Sequence, residues 1–235
     1  MQGMLYGVGT GPGDPQLITL KALKVIKDAD IIITLRNDKE QVNSALSVIL
    51  HHIKEVESRH KEIVFPSKGR CHTFMEFWLD AARLVQKYME KGEKVVFAVP
   101  EDPVVFSAFS YLVDILEGEM EELTVEIVPG ISLYSAGTAF LKIPLVMENE
   151  KLAILQAPVS TDELSEFCQS FDAIAIFQRN VKQKDIIDSL EKLDRLDNTY
   201  FLTFSKQQGR FVEFQLDELG ETEIEDELLF LVKSY

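Results

Sequence analysis

The sequence predicts an α/β fold built as two α/β domains, the first around a parallel sheet with flanking helices and the second around a mixed sheet. Three observations carry this. Strand-like and helix-like patterns alternate regularly up to residue 128. Glycine and proline gather just after the predicted strands of that half. Beyond residue 150 the strands come closer together with fewer helices between them. The boundary falls at residue 130, giving domains 1–130 and 131–235 joined by a linker near Gly130 to Pro144.

Met4 to Val8 reads as a strand running into glycine. Asp14-Pro15 is a helix start, with an acid to cap and a proline suited to the first turn. Leu17, Leu20, Leu23 and Ile26 follow at helical spacing and are expected to face a core. Ile31 to Leu35 is the next strand, apolar enough to be covered on both faces. Asn43 to Ile53 reads as helix and Glu62 to Phe65 as a short strand closed by Pro66. Phe74 to Lys91 is a helix with Phe77, Ala81, Leu84, Val85 and Tyr88 on one stripe, ended by Gly92. Lys94 to Val99 is a strand, Phe106 to Leu116 a helix, and Leu123 to Val128 a strand leading into Pro129-Gly130. In the second half Leu152 to Gln156, Ala173 to Phe177, Thr199 to Phe204, Phe211 to Gln215 and Leu228 to Val232 read as strands. Thr161 to Gln169 and Lys184 to Leu193 read as helices, and Gly209-Arg210 as a hairpin turn.

Composition narrows the function. With 235 residues, 46% apolar and 27% charged, the chain is expected to bury ordinary globular cores. Its 24 basic against 39 acidic residues leave a net charge of −15, which disfavours general nucleic-acid binding. Seven of the eleven residues from Asp217 to Glu227 are acidic and read as a solvated segment. No apolar run approaches the roughly 20 residues that span a bilayer, so no membrane partner is expected. The N-terminus lacks a basic region followed by an apolar stretch, and Cys71 and Cys168 stand alone, so a reducing cytoplasm is expected. His51, His52 and His60 have no metal-ligand spacing.

In a parallel sheet the ligand site lies beyond the carboxyl ends of the strands. Three loops sit there: Gly7–Asp14, Pro100–Ser107 and Pro129–Tyr134. The first reads GVGTGPGD, and a dinucleotide fingerprint would need glycine at position 12. Pro12 stands there instead, with no N–H to offer a pyrophosphate. No GK[ST] follows, so a Walker loop is excluded too. Asp38 lies near a ribose-binding position, but the glycine spacing does not support that reading.

VGTGPGDP, EDPVVFS and VEIVPGIS, in this order and at these distances, resemble the tetrapyrrole methylase family. PQLITLKALKVIKDAD, LAILQAP and AIAIFQRN extend the resemblance over essentially the whole chain. EIVFPSKGR points to the branch that methylates carbon 20 of precorrin-2 or its cobalt form in cobalamin biosynthesis. The resemblance implies a homodimer and S-adenosyl-L-methionine as co-substrate, held in a cleft between the domains. Pro12, Val99, Pro100, Glu101, Asp102, Val105, Phe106, Ser132, Leu133 and Phe177 are the cofactor-binding residues it implies. Asp14, Arg36 and Ser107 are those it implies for the substrate, an anionic tetrapyrrole.

Methyl transfer from a sulfonium is an in-line displacement in which the protein mainly orients the reactants, so no side-chain nucleophile is needed. Asp14, Asp102 or a histidine is available as a base, and nothing in the sequence selects one. A polycarboxylate substrate requires local positive charge, for which Arg36, Lys39, Lys68, Arg70, His72 and Arg179 are candidates. The chain departs from the family pattern at Glu101, where glycine is usual, at the bulky Leu133-Tyr134 and at Gln178. If that position needs a positive φ, glutamate is strained there by about 1–2 kcal/mol. The departures leave two further readings open: a macrocycle-binding paralogue without catalysis, and a methylase acting on another ring carbon.

Overall fold

A computed structural model describes residues 3–37, 42–65, 74–178, 183–206, 208–219 and 227–233. The chain forms two compact units, Met1–Ser132 and Leu133–Tyr235.

The first unit runs β1 (Met4–Gly9), α1 (Leu20–Lys27), β2 (Ile31–Asn37), α2 (Ser44–His52), β3 (His60–Phe65), α3 (Phe74–Met89), β4 (Lys94–Val99), α4 (Ala108–Glu119) and β5 (Val125–Val128). Its five strands lie in the order β3-β2-β4-β1-β5, and every neighbouring pair is parallel. Because side chains alternate along a strand, the sheet has two apolar faces. Leu5, Ile33, Val95 and Phe97 pack under α3 and α4, and Val8, Ile32, Val96 and Ala98 under α1 and α2. The chain thus leaves β1 over one face and β4 over the other. The carboxyl ends of these two central strands form the switch point where such sheets place their ligands.

Local chemistry adjusts the predicted elements. Asp14 caps only a single 3-10 turn, Pro15–Leu17, by accepting from the Gln16 N–H at 2.9 Å. The helix proper starts at Leu20 because Thr19 caps it, accepting from the Ala22 N–H at 3.1 Å. That start alters the expected stripe: Ala22 and Ile26 are buried, whereas Leu20 is 86% exposed. On α3 the buried line is Trp78, Ala81, Ala82, Val85 and Met89, with Phe77, Leu84 and Tyr88 at its margin. Helix α4 starts after the expected Phe106, whose φ of 45° is not helical, and Ser107 caps it.

The second unit runs α5 (Leu133–Leu141), β6 (Leu152–Gln156), α6 (Thr161–Ser170), β7 (Ala173–Gln178), α7 (Gln183–Lys192), β8 (Thr199–Ser205), β9 (Arg210–Phe214), α8 (Leu216–Leu219) and β10 (Leu228–Lys233). Its sheet order is β6-β7-β10-β8-β9, with β6 and β7 parallel and the other pairs antiparallel. Helix α5 replaces most of the expected linker. Gly137 and Thr138 weaken its helical signature, and tertiary packing supplies the stability: a Cβ at Gly137 would run into the Leu202 side chain. Leu133, Ala175, Phe177, Leu202, Leu229 and Leu231 form one core cluster of this unit. Ile174, Ile176, Phe230 and Val232 form another with Leu164 of α6 and Ile186 and Leu190 of α7.

Candidate active site

The ends of β1 and β4 are locked by backbone. Thr10 follows β1, is 1% exposed, and donates to the Val99 carbonyl through both its N–H at 2.9 Å and its hydroxyl at 3.0 Å. One step on, Gly11 and Glu101 form an isolated bridge, with the Glu101 N–H on the Gly11 carbonyl at 2.8 Å and the Gly11 N–H on the Glu101 carbonyl at 3.4 Å. The Glu101 carbonyl sits in a notch between Gly9 and Gly130. A Cβ on Gly9 would lie 2.6 Å from the Gly130 nitrogen, and a Cβ on either glycine would collide with that carbonyl. These contacts gather all three loops of the first unit at one place.

The conformation there is unusual. Glu101 has φ 57°, in the left-handed region where an L residue with a side chain is strained, by about 1–2 kcal/mol. Glycine is the residue that meets this backbone without strain. Phe106 in the same loop has φ 45° and is 46% exposed, and Val104 beside it is 59% exposed. Between them the Asp102 carboxylate accepts from the Val104 N–H at 3.0 Å and holds the turn. Ser107 accepts from the Phe109 N–H at 3.2 Å as the cap of α4. Val99 is buried, and Pro100, Asp102 and Val105 are half-buried.

The structure therefore brings the loops of Pro12, Asp14, Val99 to Ser107 and Ser132 to the strand ends of the first unit. Ser132 itself is buried. Leu133 and Phe177 lie in the second unit, both buried in one apolar cluster, where Tyr134 meets Phe177 edge to face at 6.1 Å. Asp38, Lys39, Lys68, Arg70, Cys71, His72 and Arg179 lie outside the described residues.

Arg36, near the end of β2, belongs to a side-chain network. Its Nε donates to Glu62 Oε2 at 3.1 Å, and Glu62 Oε1 accepts from Asn43 Nδ2 at 2.9 Å. Asn43 also donates to the Thr34 hydroxyl at 2.8 Å and caps α2 by accepting from the Leu46 N–H at 3.0 Å. The Thr34 hydroxyl is 2.8 Å from His60 Nε2. Every group gains a partner when the Thr34 proton points at a bare Nε2, which places the imidazole proton on Nδ1. Burial agrees: it pushes the His60 pKa below its ordinary value, with Lys61 adding to the shift and Glu62 opposing it. Burial alone would raise the Glu62 carboxyl. The hydrogen bonds from Asn43 and Arg36 and the Arg36 charge outweigh that and hold it below the usual range. The sequence gives no hint of this network, since it depends on the pairing of Thr34 with Glu62 across two strands. Arg36 is the member named as a candidate site residue, and Asn43 opens the expected helix.

Fold and site together define a two-unit α/β protein with a ligand-type switch point. Residues 4–219 match the family described as Tetrapyrrole (Corrin/Porphyrin) Methylases. The chain belongs to that family. It is 34% identical to the probable cobalt-precorrin-2 C(20)-methyltransferase of Methanocaldococcus jannaschii over 98% of this chain and 96% of that one. It is 29% identical to the cobalt-precorrin-2 C(20)-methyltransferase of Salmonella typhimurium over 76% of this chain and 73% of that one. The uroporphyrin-III C-methyltransferase of Thermus thermophilus, solved with S-adenosyl homocysteine, shares the fold with a TM-score of 0.66 at 22% identity, covering 98% of this chain and 92% of that one.

Proposed function

We propose that this chain transfers a methyl group from S-adenosyl-L-methionine to carbon 20 of precorrin-2 or cobalt-precorrin-2, a step of cobalamin biosynthesis. The observation that carries the reading is the charge of the switch point. Residues 10–19, 100–107 and 129–132 contain three carboxylates, Asp14, Glu101 and Asp102, and no Lys, Arg or His. Such a surface repels a polyphosphate and suits a cation. The exposed Val104 and Phe106 add apolar surface of the kind that receives a flat adenine.

When bound, S-adenosyl-L-methionine supplies a methyl group on a positively charged sulfur. Val99 to Phe106 and Ser132 are its proposed contacts. The protein's part is to hold the ring carbon in line with that methyl group. Asp14 and Ser107 flank the tetrapyrrole in this reading. Arg36 meets one of its carboxylates, with its Nε side held by Glu62. A homodimer working in the cytoplasm completes the proposal. The homodimer is expected to run at twice the chain mass in light scattering.

Incubation with S-adenosyl-L-methionine and either tetrapyrrole, followed by mass spectrometry, tests the reaction. One added methyl group per macrocycle, matched by S-adenosylhomocysteine, is the expected result. Folded protein that yields neither product overturns it, and a methyl group on another ring carbon overturns the carbon-20 assignment.

A further inference from the structure

The turn after β1 has little of its own to fix it. Gly11 and Gly13 adopt φ of 81° and 126°, conformations that suit glycine, and neither has a side chain to pack. The near end of the turn is fixed by Thr10 on Val99 and by the bridge from Gly11 to Glu101. The far end is gripped at a single peptide group, Pro15–Gln16. The Gln16 N–H donates to Asp14 Oδ1 at 2.9 Å, and the Pro15 carbonyl accepts from His52 Nε2 at 2.8 Å. The Ile18 N–H reaches the same carbonyl at 3.5 Å, the weak end of the range. A carbonyl can only accept, so Nε2 carries a proton there whether the ring is neutral or charged. A peptide bonded at its oxygen donates more strongly from its nitrogen, so the two bonds support each other.

We propose that His52 is a positioning residue that fixes the Pro15–Gln16 peptide and, through it, the Asp14 carboxylate at the switch point. The inference rests on the methyl-transfer reading above, in which Asp14 flanks the tetrapyrrole. His52 acts from a rigid base, the last turn of α2. Ala45, Val48 and Ile49 bury that helix against the sheet, and Asn43 ties its start to Glu62, the partner of Arg36. One helix thereby supports both Arg36 and the turn of Asp14. His52 is exposed and its bond competes with water, so its effect on placement is modest.

Two variants test this. His52→Phe keeps a ring and removes the donor, whereas His52→Gln offers an amide N–H at a similar reach. Hydrogen exchange at the Gln16 amide, read by NMR, reports the placement itself. It is expected to quicken about fivefold in His52→Phe, the scale of one exposed hydrogen bond, and to stay within about twofold of wild type in His52→Gln. Steady-state kinetics report the consequence. The KM for the tetrapyrrole is expected to rise about fivefold in His52→Phe and to be restored in His52→Gln. Affinity for S-adenosyl-L-methionine, measured by titration calorimetry, is expected to stay within about twofold of wild type in both. Unchanged Gln16 exchange or unchanged KM in folded His52→Phe overturns the inference while leaving methyl transfer standing, as does a His52→Gln no better than His52→Phe. An equal loss of S-adenosyl-L-methionine affinity reduces His52 to general support and overturns it too. Folded wild type that transfers no methyl group overturns the methyl-transfer reading and this inference with it.

Discussion

At the carboxyl ends of β1, β4 and β5 the contacts are made chiefly by backbone: the Thr10 N–H on Val99, with the Thr10 hydroxyl beside it, a bridge between Gly11 and Glu101, and a carbonyl seated between two glycines. At the ends of β2 and β3, in the same sheet, they are made by side chains, in the chain Arg36–Glu62–Asn43–Thr34–His60. The first region has no room for a Cβ at Gly9 or Gly130 and stores strain at Glu101. The second spends polar side chains on each other and adopts ordinary backbone. The difference sets what each tolerates. Backbone packing fails when a single carbon is added, whereas a hydrogen-bonded network fails when a donor is removed.

The largest expected effect is at the notch. Gly130→Ala puts a Cβ into the Glu101 carbonyl, an atom of backbone that cannot turn aside. Overpacking of this kind is expected to lower stability by about 3 kcal/mol. Gly118→Ala is the control: nothing lies within 4 Å of its Cβ and it sits in helix α4, so a gain of about 0.5–1 kcal/mol is expected. Denaturant midpoints of the two variants measure both. Equal midpoints would mean that the close approach of Glu101 to the glycines does not hold in solution.

Next comes the network. Asn43→Ala removes the cap of α2 and leaves Thr34 and Glu62 without the amide donor. About 2 kcal/mol is expected, combining a lost cap with acceptors left short of a partner. Asn43→Asp separates the two roles, since aspartate still caps but cannot donate and stands against Glu62. A near-neutral Asn43→Asp would reduce the network to a cap.

How far the sequence foretold these two regions follows from what each depends on. The central strands β4, β7 and β10 are legible because their apolar runs are buried on both faces, and Leu152–Gln156 and Lys94–Val99 appear at the expected bounds. The three loops were legible because glycine and proline mark backbone turns in one dimension. Helix α5 was not, because its small residues read as a linker until Leu202 of the sheet packs against Gly137. The phase of α1 differs from the expected one because Asp14, the expected cap, closes only a 3-10 turn and Thr19, five residues on, starts the helix. The network was illegible because Thr34 and His60 are 26 residues apart and meet only through strand register. The sequence also shows Glu101 as an acid in a glycine place, but only the fold reveals the positive φ that makes it strained.

Arg36 joins the side-chain region to the proposed reaction. Arg36→Lys keeps a positive charge but loses the planar fork that meets Glu62 and, in the proposed reading, a substrate carboxylate as well. The KM for the tetrapyrrole is expected to rise about tenfold, with affinity for S-adenosyl-L-methionine unchanged. A parallel loss of both affinities would place Arg36 in structural support alone.

The smallest effect is expected from pH, and it falls on the side-chain network. His60 titrates below its ordinary value of 6.5 in the fold, chiefly because it is partly buried. The unfolded chain therefore takes up this proton first as pH falls. The stability tied to a neutral His60 is fully present above about pH 6.5 and is lost as pH drops through the lower folded value. Protonation turns Nε2 into a donor and breaks the run of donors from Asn43 through Thr34. Glu62, also held low, adds a second loss of the same sign nearer the carboxylate range, below its ordinary 4.5. The notch between Gly9 and Gly130 is filled by a backbone carbonyl, which does not titrate. His60→Gln removes the first transition, so thermal midpoints of wild type and variant should converge as pH falls through the histidine range. Parallel curves would mean that the proton of His60 has no part in holding β3 to β2.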